Sequence, residues 1–367
     1  MTVLVYGISN QKGGISEFMM GLSENLRTKD VVFNYVIKGS DSVYEDKIKF
    51  LGGKVYYYNF KNKFQRVFNL YKIMKSARHS NDFFYYNTSG TYFIFPILFA
   101  FLFKYKIISH AHNSRDCSLS FLYVILNLIN RRILNKVSKV KLSCSDLAKE
   151  WVFGKSSDAI QINNAIDSKK FFYSETIRNE TRSELQINHE DIVIIQVGRV
   201  EYPKNQKFSI DILEKLNNLH DADFKYKLIF IGEGKDSRIL KEYVQSKGID
   251  GVLFLGQRNN INKYLNAADI FLLPSFFEGF PIVAVEAQAT GLRCVLSDKI
   301  TKTANITGLV DFLPLTNIDC WLKKIQEIDF KNRIDYNDLL KEKGFDNNKN
   351  AVVIYNIIMN NLGEGNE

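Results

Sequence analysis

The chain has 367 residues, long enough for two domains with separate cores. Its 46% hydrophobic and 24% charged residues, with 21 Gly and 5 Pro, exclude a disordered or fibrous protein. The net charge of +9 is held unevenly, +13 in residues 1–170 and −4 over the remainder, so the two halves face different partners. No zinc-finger spacing, RNP-type aromatic motif or recognition-helix pattern accompanies the basic half. Nucleic acid is therefore set aside in favour of phosphorylated substrates and anionic lipid.

The amino terminus, Met1 to Gly7, has no basic segment leading into a long apolar core, which gives the expectation of a cytoplasmic protein. Strand-length apolar runs then alternate with helix-length segments, the signature of parallel sheets covered by crossover helices. In the first half the predicted strands are Val3–Tyr6, Val31–Ile37, Val55–Tyr58, Phe83–Tyr86, Ile107–Ser109, Lys141–Cys144 and Ala159–Ile162. The apolar run Tyr92–Phe103 is interrupted by Pro96 and falls short of the roughly 18 residues of a spanning helix, so it is expected to be a buried helix. Leu119–Leu134 mixes apolar residues with Asn127, Asn130, Arg131 and Arg132, and Lys136, Lys139 and Lys141 follow it. That pattern fits either a core helix or a helix lying on anionic lipid. The polar stretch Phe171–Glu190 holds the linker and the first helix of the second half. Ile192–Val197, Lys227–Ile231, Val252–Leu255, Ile270–Leu273 and Cys294–Leu296 repeat the strand scheme. The expected organisation is therefore α/β: a Rossmann-like domain over 1–170, a second over 171–350, and a helix in 351–367 returning to the first. Two such domains place a ligand in the cleft between them, at the carboxyl ends of the strands.

Chemistry is sought in the loops at those ends. After Ile270–Leu273 comes Pro274-Ser275-Phe276-Phe277-Glu278-Gly279-Phe280-Pro281, then a short helix containing Glu286, eight residues beyond Glu278. Pro281 suits a first helical turn, Gly279 lets backbone approach a ligand, and two carboxylates so spaced can accept from neighbouring sugar or ribose hydroxyls. Arg199 and Lys204 follow the strand Ile192–Val197, where a cationic pair can clamp a diphosphate and offset the charge that grows on it as a glycosidic bond breaks. Gly232 and Gly234 form a short GxG loop, and Asn10–Ser16, with Gly13 and Gly14, could cradle a phosphate although no Lys-Ser/Thr of a P-loop follows. His110 and His112 stand beyond Ile107–Ser109 at a spacing that is poor evidence for a metal. Asp221-Ala222-Asp223 mimics a metal-binding DxD, but it precedes a strand instead of ending one, so no essential metal is expected. Cys117, Cys144, Cys294 and Cys320 lie far apart without ligand spacing and are expected to be reduced thiols.

The Glu278–Glu286 segment resembles the donor-sugar signature of retaining family 4 glycosyltransferases, with their GT-B fold of two Rossmann-like domains facing each other across a cleft. The resemblance extends over Val197–Gln206, Phe230–Gly234 and Phe254–Arg258, and Ser297–Thr301 followed by Phe312–Leu315 is similar to members that build bacterial capsules and exopolysaccharides. It implies a retaining, metal-independent transfer from a nucleotide diphospho-sugar, a UDP-sugar by expectation, to a glycan or lipid-linked glycan, with no cofactor. It further implies that Arg199 and Lys204 hold the diphosphate beside Gly13, Gly14, Gly232 and Gly234, and that Arg258 lies in the base loop. Glu286 would bind ribose, Glu278 and the amides of Gly279 and Phe280 the sugar, and His110 or His112 a sugar hydroxyl. Arg293 stands where the family usually has proline and Thr303 where relatives often carry Glu. Peripheral contact with the inner face of the plasma membrane through the basic domain is a further expectation. The alternatives are a nucleotide-sugar epimerase on the same plan and a non-catalytic partner that binds donor or membrane.

Overall fold

The computed structural model describes residues 1–11, 13–113, 120–219, 225–330 and 332–363. Lys12, Cys117, the Asp221–Asp223 pattern and the first residue of the Leu119–Leu134 stretch lie outside the described residues. The chain divides into two compact units, residues 1–165 with 346–367, and residues 166–345. The divisions fall a few residues before the expected 170 and 350.

In the first unit the strands β1 (Thr2–Tyr6), β2 (Val32–Lys38), β3 (Val55–Tyr58), β4 (Phe83–Thr88), β5 (Lys106–Ala111), β6 (Val140–Ser143) and β7 (Ile160–Gln161) form one parallel sheet in the order β3-β2-β1-β4-β5-β6-β7. Central strands of such sheets are covered on both faces, which is why Val3, Leu4, Val5, Phe84 and Tyr85 are all buried. The helices are α1 (Gly14–Leu26), α2 (Glu45–Phe50), α3 (Lys63–Ala77), α4 (Phe95–Leu102), α5 (Phe121–Val137) and α6 (Asp146–Val152). One face of the sheet packs on α1, and the other packs on buried residues of α3, α4, α5 and α6.

The helix α4 corrects the expectation of a buried run over Tyr92–Phe103. Only Pro96, Ile97 and Ala100 of it are buried, while Phe95, Leu98, Phe101 and Leu102 are exposed. The sheet needs one stripe of a helix to cover it, and eight all-apolar residues supply apolar side chains on every side.

The second unit contains α7 (Glu175–Glu184), β8 (Ile192–Val197), α8 (Gln206–Leu219), β9 (Tyr226–Ile231), α9 (Ser237–Lys247), β10 (Val252–Phe254), α10 (Ile261–Ala267), β11 (Ile270–Leu273), α11 (Ile282–Ala289), β12 (Arg293–Ser297), β13 (Val310–Leu313), α12 (Ile318–Glu327) and α13 (Asn337–Glu342). Its sheet is parallel in the order β10-β9-β8-β11-β12-β13. The edge strand β13 was not anticipated; its Asp311 interrupts the apolar pattern to pair with Arg293 of β12 at 3.0 Å. The first helix, α7, is held by charge: Arg178 and Arg182 donate to Asp269 at 2.6 and 2.7 Å, and Asp269 Oδ2 also accepts from the amide of Val193 at 2.7 Å. The last helix, α14 (Asn347–Gly363), belongs to the first unit and places Ala351, Ile354 and Ile358 in the core beside α1.

Each sheet has one place where successive crossovers leave in opposite directions, between β1 and β4 in the first unit and between β8 and β11 in the second. Loops diverge there and leave a crevice at the strand ends.

Candidate active site

The crevice of the second unit is a recess of about 490 Å3 between the loop after β8 and the loop after β11. Arg199, Lys204, Glu278, Gly279 and Glu286 all line it. Sequence positions up to 87 residues apart are thus gathered by the pairing of β8 with β11, where Ile194 and Ile195 lie opposite Ile270 and Phe271.

The centre of the recess is the Lys204–Glu278 pair, Nζ to Oε1 at 2.6 Å. The hydroxyl of Ser275 donates to the same Oε1 at 2.7 Å, so one carboxylate oxygen is doubly held and Oε2 has no partner among the described residues. An ammonium carries three donors, and Glu278 takes one, leaving two for another acceptor. Arg199 is largely exposed, with Glu201 3.6 Å away, and Glu286 is half-buried on the second turn of α11. Among the described residues no amide of 277–279 donates within the protein, and all three residues line the recess, so backbone donors stand open at its wall.

Lys204 sits in a short 3-10 turn, Tyr202–Lys204, that is fixed from beneath. Buried Gln196 of β8 donates Nε2 to the carbonyl of Lys204 at 2.7 Å and accepts from Ser209 Oγ at 2.7 Å. Gln206 donates to the carbonyl of Arg199 at 2.9 Å, and Asn205, in the left-handed region at φ 52°, donates to the carbonyl of Pro274 at 3.1 Å. The amide of Phe276 donates to the carbonyl of Pro203 at 2.9 Å, which ties the two loops together. Ser275, Gln196, Gln206 and Ser209 were not anticipated. A glutamine inside the otherwise apolar strand Ile-Val-Ile-Ile-Gln-Val was a legible signal, because a buried amide must be paired.

The other expected residues lie elsewhere. Gly232 and Gly234 are not in the lining: a Cβ at Gly232 would stand 2.0 Å from the carbonyl oxygen of Gly198, and one at Gly234 2.2 Å from that of Val200. Their lack of a side chain lets the loop after β9 press against the loop after β8. Phe280 stacks on Phe345 with centroids 5.7 Å apart and Pro281 is buried, so both anchor the start of α11 without lining the recess. Arg258 is exposed and also outside the lining. Gly13 and Gly14 open α1 of the first unit, with nothing within 4 Å of the Cβ either would carry.

His110 and His112 are core residues as placed. Both rings meet Phe18 of α1 edge-on, their centroids are 4.0 Å apart, and neither is more than 4% exposed. His110 Nδ1 is 2.9 Å from Tyr85 Oη, and His112 Nε2 is 2.7 Å from Asn87 Oδ1. Asn87 is oriented by donating Nδ2 to the carbonyl of Tyr6, so its Oδ1 accepts and His112 Nε2 carries the proton. His112 Nδ1 and Asn164 Oδ1 are both buried without a hydrogen bond of good geometry. Burial holds the pKa of His112 down to about 3, with Asn164 opposing, and burial with the neighbouring His112 holds His110 well below the ordinary value. Both imidazoles are neutral at pH 7.

Two parallel-sheet α/β units, each with a crevice at its switch point, are the architecture of the GT-B fold. Residues 177–308, within the second unit, match the family model of glycosyl transferases group 1. The chain is 27% identical to EpsF of Bacillus subtilis, a protein assigned to the glycosyltransferases, over 94% of this chain and 93% of EpsF. It is 28% identical, over 79% of each chain, to the N,N'-diacetylbacillosaminyl-diphospho-undecaprenol alpha-1,3-N-acetylgalactosaminyltransferase of Campylobacter jejuni. Anabaena HepE, solved with UDP and with UDP-glucose, superposes with a TM-score of 0.71 at 16% identity, covering 99% of this chain and 98% of HepE.

Proposed function

We propose that the recess binds the diphosphate and sugar of a UDP-sugar, and that the enzyme transfers the sugar with retention to a lipid-linked glycan or growing surface polysaccharide. The observation that carries this reading is the convergence of Arg199, Lys204, Glu278, Gly279 and Glu286 on one recess. The two remaining donors of Lys204, with Arg199, meet the diphosphate and offset the charge that develops on it as the anomeric bond breaks. Glu278, pinned through Oε1, turns Oε2 to the sugar hydroxyls beside the open amides of 277–279. Glu286 accepts from the ribose hydroxyls. Lys204 thus couples sugar and diphosphate sites, because it contacts the carboxylate that reads the one and the anion that is the other. Retention follows if the departing diphosphate itself accepts the acceptor's proton on the face it leaves. Peripheral contact with an anionic membrane belongs to the same reading, supported by the Campylobacter jejuni relative, whose acceptor is linked to diphospho-undecaprenol.

The test is release of UDP from UDP-sugars in the presence of polyprenyl-diphosphate-linked saccharides, with the product's anomeric configuration read by NMR. Acceptor-dependent release with the donor's configuration retained is expected. An inverted product refutes the retaining mechanism, and interconversion of the UDP-sugar without any acceptor replaces transfer with epimerisation.

A further inference from the structure

The helix α5 is inside out. Its buried positions are Asn127, Asn130 and Leu134, while Leu122, Ile125, Leu128 and Ile129 face outward. The two asparagines are fully engaged by the core: Asn127 accepts from the Thr91 amide at 2.6 Å and donates to the carbonyl of Trp151 at 2.9 Å, and Asn130 donates to the carbonyl of Thr91 at 2.8 Å. The orientation of α5 is therefore fixed by paired polar groups, and the side chains of Leu122, Ile125, Leu128 and Ile129 are excess to the core.

Its neighbours continue that surface. The helices α3, α4 and α5 pack side by side over one face of the sheet. Phe64 is 90% exposed, Phe68 56% and Phe101 62%. Between α3 and α4 runs a groove of about 510 Å3 lined by aromatic and aliphatic side chains, Phe64, Phe68, Tyr71, Phe95 and Phe99 among them. None of the three helices contains an Asp or Glu, whereas Lys63, Lys72 and Lys75 on α3 and Arg132 and Lys136 on α5 are exposed. A wide apolar face with cations and no anions is what an anionic bilayer complements: rings and aliphatic chains enter the headgroup boundary while the ammonium groups meet lipid phosphates. A second copy of the chain is the poorer occupant, because a two-fold contact would set the same uncompensated cations against one another.

We infer that the outer face of α3, α4 and α5 seats on the surface of an anionic lipid bilayer, with a lipid hydrocarbon chain in the α3–α4 groove. This deepens the membrane contact named above by assigning it a surface, and it involves no residue of the donor recess.

The test is co-sedimentation of the full chain with vesicles of phosphatidylcholine alone and with roughly one-quarter phosphatidylglycerol, at about 0.05 and about 0.5 M NaCl. Wild type is expected on the anionic vesicles at low salt and largely released at high salt. Each cation near the surface contributes about fivefold to binding, so Lys72→Glu with Lys75→Glu weakens it by more than about 25-fold. Phe64→Ser with Phe68→Ser abolishes the binding that persists at high salt. All four side chains are exposed, and circular dichroism with calorimetric melting reports that each variant is folded, while UDP affinity measured in parallel separates failure here from failure of the donor assignment. Equal retention on both vesicle types, or unchanged binding by both double variants, overturns the inference. So does a wild-type dimer that Phe64→Ser with Phe68→Ser converts to monomer without any vesicle binding, which makes the face a contact between copies.

Discussion

Acidification should destabilise the first unit through its two buried histidines. A histidine whose folded pKa lies below its unfolded value stabilises fully above the unfolded pKa, and that contribution is lost as pH falls, because only the unfolded chain takes up the proton. The window for His112 runs from its ordinary value of 6.5 down to about 3. Between pH 7 and pH 5 the loss is therefore about 1.4 kcal/mol for each of about 1.5 pH units, or ~2 kcal/mol. His110, also held low by burial, acts in the same sense. Against the 5–15 kcal/mol that holds a domain together this is a large fraction, and at about 2–4 °C per kcal/mol it lowers the melting temperature by roughly 4–8 °C for His112 alone. The assay is calorimetric melting at pH 7 and pH 5 of wild type and His112→Gln, a change that keeps a side-chain amide beside Asn87. The variant is expected to lose ~2 kcal/mol less than wild type over that range, whatever its stability at pH 7. Identical pH sensitivity in the two proteins would refute the reasoning, since the remaining titrating groups are common to both.

Three further outcomes follow from the second unit. Lys204→Met removes the cation shared by Glu278 and the proposed diphosphate site, and should lower kcat about 100–1,000-fold in a UDP-release assay while the fold, checked by circular dichroism, persists. Gly232→Ala puts a Cβ against the carbonyl of Gly198 at φ +130°, so it should cost at least about 3 kcal/mol in calorimetric melting, whereas Glu286→Ala should leave the melting temperature near that of wild type. Asp269→Ala strands Arg182, which burial already holds below its usual pKa, and should destabilise the second unit by about 3–5 kcal/mol in urea unfolding; a change under about 1 kcal/mol would show that the pair on α7 is dispensable.

The sheets were legible because buried parallel strands write themselves as short apolar runs, and twelve of the thirteen strands among the described residues stand within two residues of where those runs predict them. The exception, β13, is an edge strand whose Asp311 breaks the run. The gathering of Arg199, Lys204, Glu278 and Gly279 was legible because they lie in two loops at strand ends, with Glu286 on the helix that follows the second. What was not legible is what depends on which side of an element meets its neighbour. Phe280 turns to Phe345, and His110 and His112 turn inward to Phe18, because the strand pleat and the packing of α1 decide their direction. The pattern of α5 leaves a core helix and a helix lying on lipid equally open, and the partners of Asn127 and Asn130 show which of its sides is buried. Gly232 and Gly234 were noticed for their spacing, yet the structure gives them a backbone contact that no spacing encodes.

The donor assignment is tested most directly by titrating UDP into wild type and into Glu286→Ala by isothermal calorimetry, beside ADP and GDP as controls. Wild type should bind UDP more tightly than the controls, and Glu286→Ala, still folded, should bind it at least about tenfold more weakly. Equal affinity of the two proteins for UDP, or no heat from wild type at millimolar nucleotide, would contradict the placement of a nucleotide-sugar in this recess.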